Sequence, residues 1–255
     1  MLAPFRHLIL VATKAPVTFF AYPGKPSELT PAHCIAHVLA TPAQDALAAL
    51  AALCEAVGAT ASAPVQARQK VTLPRGALTP QSAAQTLGCL LPEGAIVVNE
   101  AATSGFAIPA LTAAAPAHDW LDLTGGAIGQ GLPTAVGAAV ASPGRRVLAL
   151  EGDGSGMYTV QALWTMAREN LDVTTVIFAN RKYAILQVEL LRVGAGNPGR
   201  KAQEMLSLDR PDLDWVKLAN GMGVPATRAT TAEEFNTQLA RSLAAPGPGL
   251  IEVVL

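Results

Sequence analysis

Two polar side chains that follow apolar runs in this 255-residue sequence could do chemistry together. Asp153 lies in a Gly-Asp-Gly turn after the apolar run 147–150, and Asn180 ends the apolar run 173–179. Because each run is typical of a buried parallel β-strand, both side chains are expected at the carboxyl edge of one sheet, where ligand sites form. A carboxylate and an amide oxygen, with no His or Cys nearby, suit Mg²⁺. The pattern therefore predicts a magnesium site.

The residues beside Asp153 favour a ligand that carries phosphate. Gly152 and Gly154 allow the backbone to approach an anion closely, and Ser155 adds a hydroxyl at the start of the next turn. Magnesium often completes its coordination with water and the oxygens of a phosphate. A second interpretation stays open from these residues alone, because an ordinary strand-to-helix turn and an ordinary strand terminator would use the same residue types.

A strand-helix-strand unit must position these side chains. The segment 160–170 has a helical pattern between the two apolar runs, and such a unit of about 35 residues is typical of a parallel sheet. The pattern elsewhere predicts strands over 8–12, 17–22, 95–98 and 250–254, and helices over 42–57, 80–91, 124–140, 215–222 and 232–243. The predicted fold class is α/β, a parallel sheet flanked by helices.

Composition and charge exclude several classes of function. Charged residues make up 15% of the chain, with 18 Lys and Arg against 19 Asp and Glu, so no basic field attracts nucleic acid or an anionic membrane. The apolar run 8–12 is too short for a signal peptide, and glycines and prolines interrupt the uncharged run 123–144. Three widely spaced cysteines suggest no disulfide framework. We expect a cytoplasmic protein without a nucleic-acid or membrane partner.

Two ordered motifs resemble those of the thiamine-diphosphate-dependent enzymes. The segment from Gly152 to Asn180 places 25 residues between Gly154 and the final Asn, a spacing that resembles the cofactor-binding signature of this family. Upstream, GGAIGQGLPTAVGAA over 125–139 resembles the segment that precedes the signature in acetolactate synthase large subunits and benzoylformate decarboxylases. The resemblance implies thiamine diphosphate and Mg²⁺ as cofactors, a 2-oxo acid as substrate, and decarboxylation or carboligation as the reaction.

The resemblance also implies roles for residues of the first motif. Asp153 and Asn180 correspond to metal ligands of the family, and the backbone carbonyl of Lys182 corresponds to the third ligand. Gly154 and Ser155 correspond to contacts with the diphosphate. The magnesium site that the residue types predict thus coincides with the site that the resemblance implies.

Three residues upstream of that motif are implied to contact the cofactor. Gly126 corresponds to the residue whose backbone carbonyl accepts from the aminopyrimidine, and Ile128 to the bulky residue that holds the cofactor in a V-shaped conformation. The run NEAATS over 99–104 resembles the diphosphate-side loop NESTS of benzoylformate decarboxylase, which makes Thr103 the expected hydroxyl contact. Two alanines in this run replace polar residues, so neighbouring contacts are expected to differ.

The stretch after the second strand favours one branch of the family. NRKYAIL over 180–186 resembles NGTYGAL of benzoylformate decarboxylase, and Leu186 stands in the cofactor pocket where pyruvate decarboxylases have a Glu. A proton relay of the pyruvate decarboxylase type is therefore disfavoured. Relatives in this family usually have two consecutive asparagines at the end of the motif. The second, which corresponds to the metal ligand, is present here as Asn180, and the first is replaced by Ala179.

The resemblance predicts three parts of the chain. Residues 77–255 correspond to the thiamine-diphosphate-binding C-terminal domain, residues 1–60 to a partial Rossmann-like central domain, and residues 61–76 to a linker. The pyrimidine-binding domain, which carries the activating Glu on a partner subunit, has no counterpart in this sequence. We therefore expect no catalytic residue here, and a homo- or hetero-oligomer with a pyrimidine-binding domain or subunit.

Three functions remain open at this point. The leading hypothesis is the cofactor-binding part of a 2-oxo acid decarboxylase or carboligase, which turns over only when a partner supplies the activating Glu. The alternatives are a non-catalytic truncated paralogue that acts as an assembly module, and one chain of a split two-subunit enzyme.

A histidine pair near the N-terminus resembles a metal-binding pair on a helix. His33 and His37, with Cys34 between them, have the i, i+4 spacing that places two side chains on one helix face. No HExxH frame or fourth ligand accompanies them, so we expect a surface or packing role.

Overall fold

The computed structural model describes residues 2–60, 62, 65, 67 and 70–255, which fall into two compact units. One unit comprises Met1–Ala67 and Leu190–Gly196, and the other comprises Arg68–Glu189 and Asn197–Leu255. Part of the predicted linker lies outside the described residues, namely positions 61, 63, 64, 66, 68 and 69. The assignment of residues 1–60 to a central domain stays a prediction.

The first unit contains a parallel strand pair and a helix among its described residues. These elements are β1 His7–Val11, β2 Ile35–Ala40 and α1 Ala46–Ala56. The side chain of Asp45 accepts from the backbone N–H of Ala48 at 3.0 Å and caps α1. This cap explains why the helix begins at Ala46 instead of residue 42.

One prediction in this unit is wrong. The run 17–22 forms no strand, since Val17 makes an isolated bridge and prolines, which lack a backbone donor, flank the run on both sides. The histidine pair does not lie on a helix: His37 is in β2 and His33 precedes that strand. The ring nitrogens Nδ1 of His7 and Nε2 of His37 approach to 3.0 Å between neighbouring strands.

The second unit alternates strands and helices along the chain. Its strands are β3 Ile96–Glu100, β4 Asp119–Asp122, β5 Val147–Gly152, β6 Val173–Ala179, β7 Ala226–Ala229 and β8 Gly249–Val254. The helices after α1 are α2 Pro80–Leu90, α3 Ile108–Thr112, α4 Gly131–Ala141, α5 Asp153–Gly156, α6 Ala162–Arg168, α7 Ala184–Arg192, α8 Arg200–Met205, α9 Trp215–Gly221 and α10 Ala232–Ala244. A short 3-10 helix, Ala102–Gly105, follows β3.

The strands of this unit form a parallel sheet in the order β4-β3-β5-β6-β8-β7. The chain passes from β3 outward to β4 and then returns to β5 on the other side, so the direction of winding reverses between β3 and β5. Ligands bind at such switch points, outside the carboxyl ends of the strands. The predicted fold class, a parallel sheet flanked by helices, is confirmed.

Apolar side chains cover both faces of this sheet. On one face Leu148 and Phe178 pack with α2 and α10, and on the other Val147 and Ile177 pack with α4, α6 and α9. Because successive strand residues point to opposite faces, a strand whose residues are all buried, such as β6, packs against both layers of helices. The edge of the sheet, where the strands end, is left for ligands.

No helix among the described residues is long and apolar enough to cross a membrane.

The structure extends the predicted elements at this edge. β3 continues through Asn99 and Glu100, although the apolar pattern ends at Val98. The Gly-Asp-Gly turn contributes the first residues of α5. The sequence pattern does not predict β4 or β7, because their sequences DWLD and ATRA lack an apolar run.

Candidate functional site

Asp153 is the first residue after β5, and 3% of its surface is exposed. Its Oδ1 accepts from the backbone N–H of Gly154 at 2.9 Å, and its Oδ2 accepts from the backbone N–H of Arg181 at 2.6 Å. Burial raises the pKa of the Asp153 carboxyl to about 6, although these backbone hydrogen bonds oppose the shift. A bound cation would stabilise the ionised form of such a carboxyl.

The hydrogen bond from Arg181 joins the two sequence motifs. Arg181 directly follows Asn180, so its N–H ties the loop after β6 to the carboxylate after β5. Its φ of 58° is a left-handed backbone conformation that is uncommon outside glycine. In the same loop, Oδ1 of Asn180 accepts from the backbone N–H of Lys182 at 3.1 Å. The structure thus brings Asp153, Asn180 and Lys182 to one edge of the sheet.

Gly154 and Ser155 begin α5 at the same edge. A Cβ on Gly154 would lie 2.5 Å from the ring of Tyr183, so packing requires a glycine at this position. The Ser155 hydroxyl lies 3.2 Å from Glu151 Oε2 and accepts from the backbone N–H of Gly152 at 3.1 Å. The hydroxyl therefore already has hydrogen-bond partners within the protein. A diphosphate contact through Ser155 stays a prediction.

The loop after β3 is joined to this edge. Thr103 is half-buried in the 3-10 helix, and the Ser155 hydroxyl donates to the backbone carbonyl of Glu100 at 3.3 Å. Asn99 donates from Nδ2 to Oδ1 of Asp122 at 2.8 Å, which connects the ends of β3 and β4. The diphosphate contact of Thr103 stays a prediction.

Residues 124–131 form a glycine-rich turn before α4, here named the 124–131 turn. Gly125 and Gly126 have φ values of 62° and 69°, a region that favours glycine. The Gly126 carbonyl accepts from the N–H of Ile128 at 2.9 Å and keeps a second lone pair for another donor. The side chain of Ile128 is 40% exposed. These features fit the cofactor contacts expected of Gly126 and Ile128, which stay predictions.

Leu186 lies in the first turn of α7, and 39% of its surface is exposed. The N–H of Leu186 donates to the carbonyl of Tyr183 at 3.0 Å, and the N–H of Tyr183 donates to the carbonyl of Leu206 at 2.9 Å. These bonds anchor the start of α7 to Tyr183 and, through Tyr183, to Leu206 at the end of α8. The position of Leu186 in a cofactor pocket stays a prediction.

Two buried glutamates at the switch point form a feature that the motifs do not assign. Glu100 of β3 and Glu151 of β5 lie opposite each other in the parallel register, with 3% and 1% of their surfaces exposed. A Cβ on Gly131 would overlap Oε1 of Glu151 and lie 2.8 Å from Oε2 of Glu100, so both carboxyl groups face the start of α4. The sequence signal for this pair is a Glu close to the end of each of two apolar runs: Glu151 directly follows the run 147–150, and Glu100 is separated from the run 95–98 by Asn99.

The two carboxyl groups have different partners. Glu100 accepts from the backbone N–H groups of Gly129 and Gly131, each at 2.5 Å. Oε1 of Glu151 has no hydrogen-bond partner among the described residues. Burial, and after it the charge of Glu100, raises the pKa of Glu151 well above its ordinary value. Burial raises the pKa of Glu100 as well, but the hydrogen bonds from Gly129 and Gly131 oppose that rise.

The donor set at Asp153 fits a hard cation. Among the described residues, no group of three or more His, Cys, Asp and Glu side chains is placed to hold a metal ion. The edge offers a carboxylate oxygen from Asp153, an amide oxygen from Asn180 and the backbone carbonyl of Lys182. Magnesium accepts few protein oxygens and keeps water and phosphate oxygens as its other ligands.

The sequence matches a known family over more than half of its length. The model described as "Thiamine pyrophosphate enzyme, C-terminal TPP binding domain" matches residues 110–253. This chain belongs to the thiamine pyrophosphate enzymes. The matched residues include the 124–131 turn, Asp153 and Asn180. The match begins after Thr103. The resemblance stated from the two motifs is therefore confirmed.

Curated relatives and solved structures agree with this family. The chain is 58% identical over 253 residues to "Putative acetolactate synthase large subunit IlvX" of Mycobacterium tuberculosis, covering 98% of this chain and 48% of that protein. It is 35% identical over 180 residues to benzoylformate decarboxylase of Pseudomonas aeruginosa, covering 70% of this chain and 32% of that protein. Its fold matches the thiamine diphosphate-dependent 4-hydroxybenzoylformate decarboxylase of Rhodococcus jostii with a TM-score of 0.75 and 26% sequence identity. The match covers 97% of this chain and 48% of that protein. The chain spans about half or less of each of these proteins.

Proposed function

We propose that this chain binds thiamine diphosphate and Mg²⁺ as the cofactor-binding part of a 2-oxo acid decarboxylase or carboligase similar to an acetolactate synthase large subunit. The observation that carries the proposal is the hydrogen bond from the Arg181 N–H to Asp153, which brings the ends of β5 and β6 together. The family match over residues 110–253 supports the choice of cofactor.

Asp153, Asn180 and the backbone carbonyl of Lys182 would hold Mg²⁺ through oxygen. The metal would link these residues to the diphosphate, so that the buried charge of Asp153 has a partner of opposite sign. When bound, thiamine diphosphate supplies the electron sink that decarboxylation of a 2-oxo acid requires. The residues of this chain bind and orient the cofactor.

The remaining cofactor contacts divide between two ends of the ligand. Thr103 and the backbone N–H of Ser155 would donate to the diphosphate, and Gly154 would allow its close approach, because all three lie beside the carboxyl edge that holds Asp153. The free lone pair of the Gly126 carbonyl would accept from the aminopyrimidine. The exposed side chain of Ile128 would pack under the cofactor and lose contact with water.

Leu186 cannot supply a proton to the reaction. An aliphatic side chain at this position donates no proton, so protonation of a bound reaction product would depend on another group or on water. We infer that the activating Glu and the rest of the 2-oxo acid pocket come from a pyrimidine-binding domain in a homo- or hetero-oligomer. The named relatives, of which this chain spans half or less, support a larger catalytic assembly.

Isothermal titration calorimetry of the whole chain with thiamine diphosphate tests the proposal. With Mg²⁺ present we expect saturable binding, and with EDTA at least about tenfold weaker binding, because Asp153 would hold the metal that neutralises the charge of the diphosphate. Thiamine, which lacks the diphosphate, is the matched control ligand and should bind at least about tenfold more weakly. Absence of binding by the folded chain with Mg²⁺ would overturn the proposal.

Metal binding is expected to depend on pH through Asp153. Its pKa is raised to about 6, so below that pH the carboxyl is protonated and neutral in the metal-free chain. Because a metal ligand must be deprotonated, affinity should fall about tenfold per pH unit below about 6 and be level above about 7. Electron paramagnetic resonance of Mn²⁺ added without cofactor measures this and avoids the protons of the cofactor itself. Equal Mn²⁺ affinity at about pH 5 and about pH 7 would contradict the assignment of Asp153 as the ligand.

A further inference from the structure

The carboxylate of Glu100 holds the 124–131 turn at two points. Its Oε1 accepts from the N–H of Gly129 and its Oε2 accepts from the N–H of Gly131, both at 2.5 Å. Gly131 is the first residue of α4, and Gln130 at the N-cap makes no side-chain capping bond. Glu100 therefore takes the place of the cap from a neighbouring strand, where the positive end of the helix dipole favours a carboxylate.

Two further hydrogen bonds fix the conformation of the 124–131 turn. The Thr159 hydroxyl donates to the carbonyl of Gly129 at 2.8 Å, so both backbone groups of Gly129 are bound. At the other end, the N–H of Thr124 donates to Oε1 of Gln130 at 3.1 Å. Glycine-rich backbone has many conformations when free, so a single conformation here depends on these bonds.

The held segment contains the two groups expected to meet the aminopyrimidine. Ile128 directly precedes Gly129, and the N–H of Ile128 donates to the Gly126 carbonyl at 2.9 Å. The position of Ile128 and the direction of the Gly126 carbonyl therefore follow from where Gly129 is fixed. Glu100 itself is buried, with 3% of its surface exposed, and its carboxylate oxygens are occupied by backbone donors of this turn.

We propose that Glu100 is a positioning residue that sets the 124–131 turn in the conformation needed to bind the aminopyrimidine end of thiamine diphosphate. The proposal rests on the proposed function above, since it concerns the same cofactor. Only a carboxylate offers an acceptor oxygen to both N–H groups at this position. An amide in its place offers one acceptor and turns an NH₂ group toward the other N–H.

The test compares two ligands in the Glu100→Gln variant of the whole chain by titration calorimetry with Mg²⁺. We expect affinity for thiamine diphosphate to fall about tenfold or more, as is typical when a supporting hydrogen-bond partner of a site is removed. Affinity for inorganic pyrophosphate should stay within about twofold, because that probe reaches only the edge at Asp153. A merely structural role of Glu100 would not change the ratio of the two affinities.

Hydrogen-deuterium exchange provides a readout that needs no ligand. In Glu100→Gln, the peptide covering residues 124–131 should exchange faster than in the wild type, while peptides of β6 stay protected. Glu93→Gln, which changes an exposed glutamate of the same unit, is the matched control and should alter neither readout. If Glu100→Gln does not fold, Glu100→Asp keeps the charge, is one methylene too short for both N–H groups, and should show the same selective loss.

Two results would overturn the positioning role. One is an equal loss of affinity for thiamine diphosphate and pyrophosphate, and the other is unchanged affinity for thiamine diphosphate. In either case binding by the wild-type chain would leave the proposed function standing. Absence of thiamine diphosphate binding by the wild-type chain would overturn both proposals.

Discussion

Replacing Asp153 with Asn is expected to weaken Mg²⁺-dependent binding of thiamine diphosphate by at least about 100-fold, more than is typical for loss of a supporting residue alone. The substitution removes the charge that attracts the metal. It also turns an NH₂ group toward one of the two backbone donors, the N–H of Gly154 or that of Arg181. Titration calorimetry of the wild type and the variant at about pH 8, where the native carboxyl is ionised, measures the difference.

Asp212→Asn is the matched control for this substitution. Oδ2 of Asp212 pairs with Nε of Arg181 at 3.2 Å, but both side chains are about half exposed and the contact does not involve Asp153. Because exposed ion pairs contribute little, we expect affinity within about twofold of the wild type and an unchanged melting temperature. Retained cofactor binding in Asp153→Asn, or an equal loss in Asp212→Asn, would contradict the role of Asp153 as a metal ligand.

Replacing Gly131 with Ala is expected to lower the free energy of unfolding by about 3 kcal/mol. The new Cβ would overlap Oε1 of Glu151 and lie 2.8 Å from Oε2 of Glu100. Both carboxyl groups are buried, and Glu100 cannot move without losing its hydrogen bonds to the 124–131 turn. Urea denaturation followed by circular dichroism measures the change in unfolding free energy.

Gly137→Ala tests whether this cost belongs to the glutamate pair or to helix α4 in general. A Cβ on Gly137 meets no atom within 4 Å, so this variant should gain about 0.5–1 kcal/mol because alanine is the better helix former. Gly131→Ala should also cost less in a Glu151→Ala background, where the overlapping oxygen is gone. Additive costs of Gly131→Ala and Glu151→Ala would contradict the overlap.

The elements that form the buried sheet could be predicted from local pattern. The run 173–179 coincides with β6, whose residues are all buried, because a parallel strand covered on both faces is rich in β-branched and apolar residues and here lacks charged ones. The Thr79-Pro80 pair likewise predicts the start of α2, since the Thr79 side chain caps it. Local chemistry decides these elements, so a sequence window contains the necessary information.

Elements that depend on distant partners could not be predicted in this way. The run 17–22 has strand-forming residues but makes no strand, whereas the polar run of β4 pairs with β3. Strand formation needs a neighbour with free backbone groups, and the neighbour lies elsewhere in the chain.

The spacing from Gly154 to Asn180 and the glycine-rich segment before it were enough to identify the family and the fold class. That Glu100 and Glu151 face each other, and that Glu100 binds the 124–131 turn, became visible only in the folded chain. The physical reason is that motif spacing is local, whereas the parallel register brings together strand ends that are far apart along the chain. Such contacts depend on which strands become neighbours, and the order of strands in the sheet is set by packing of the whole unit.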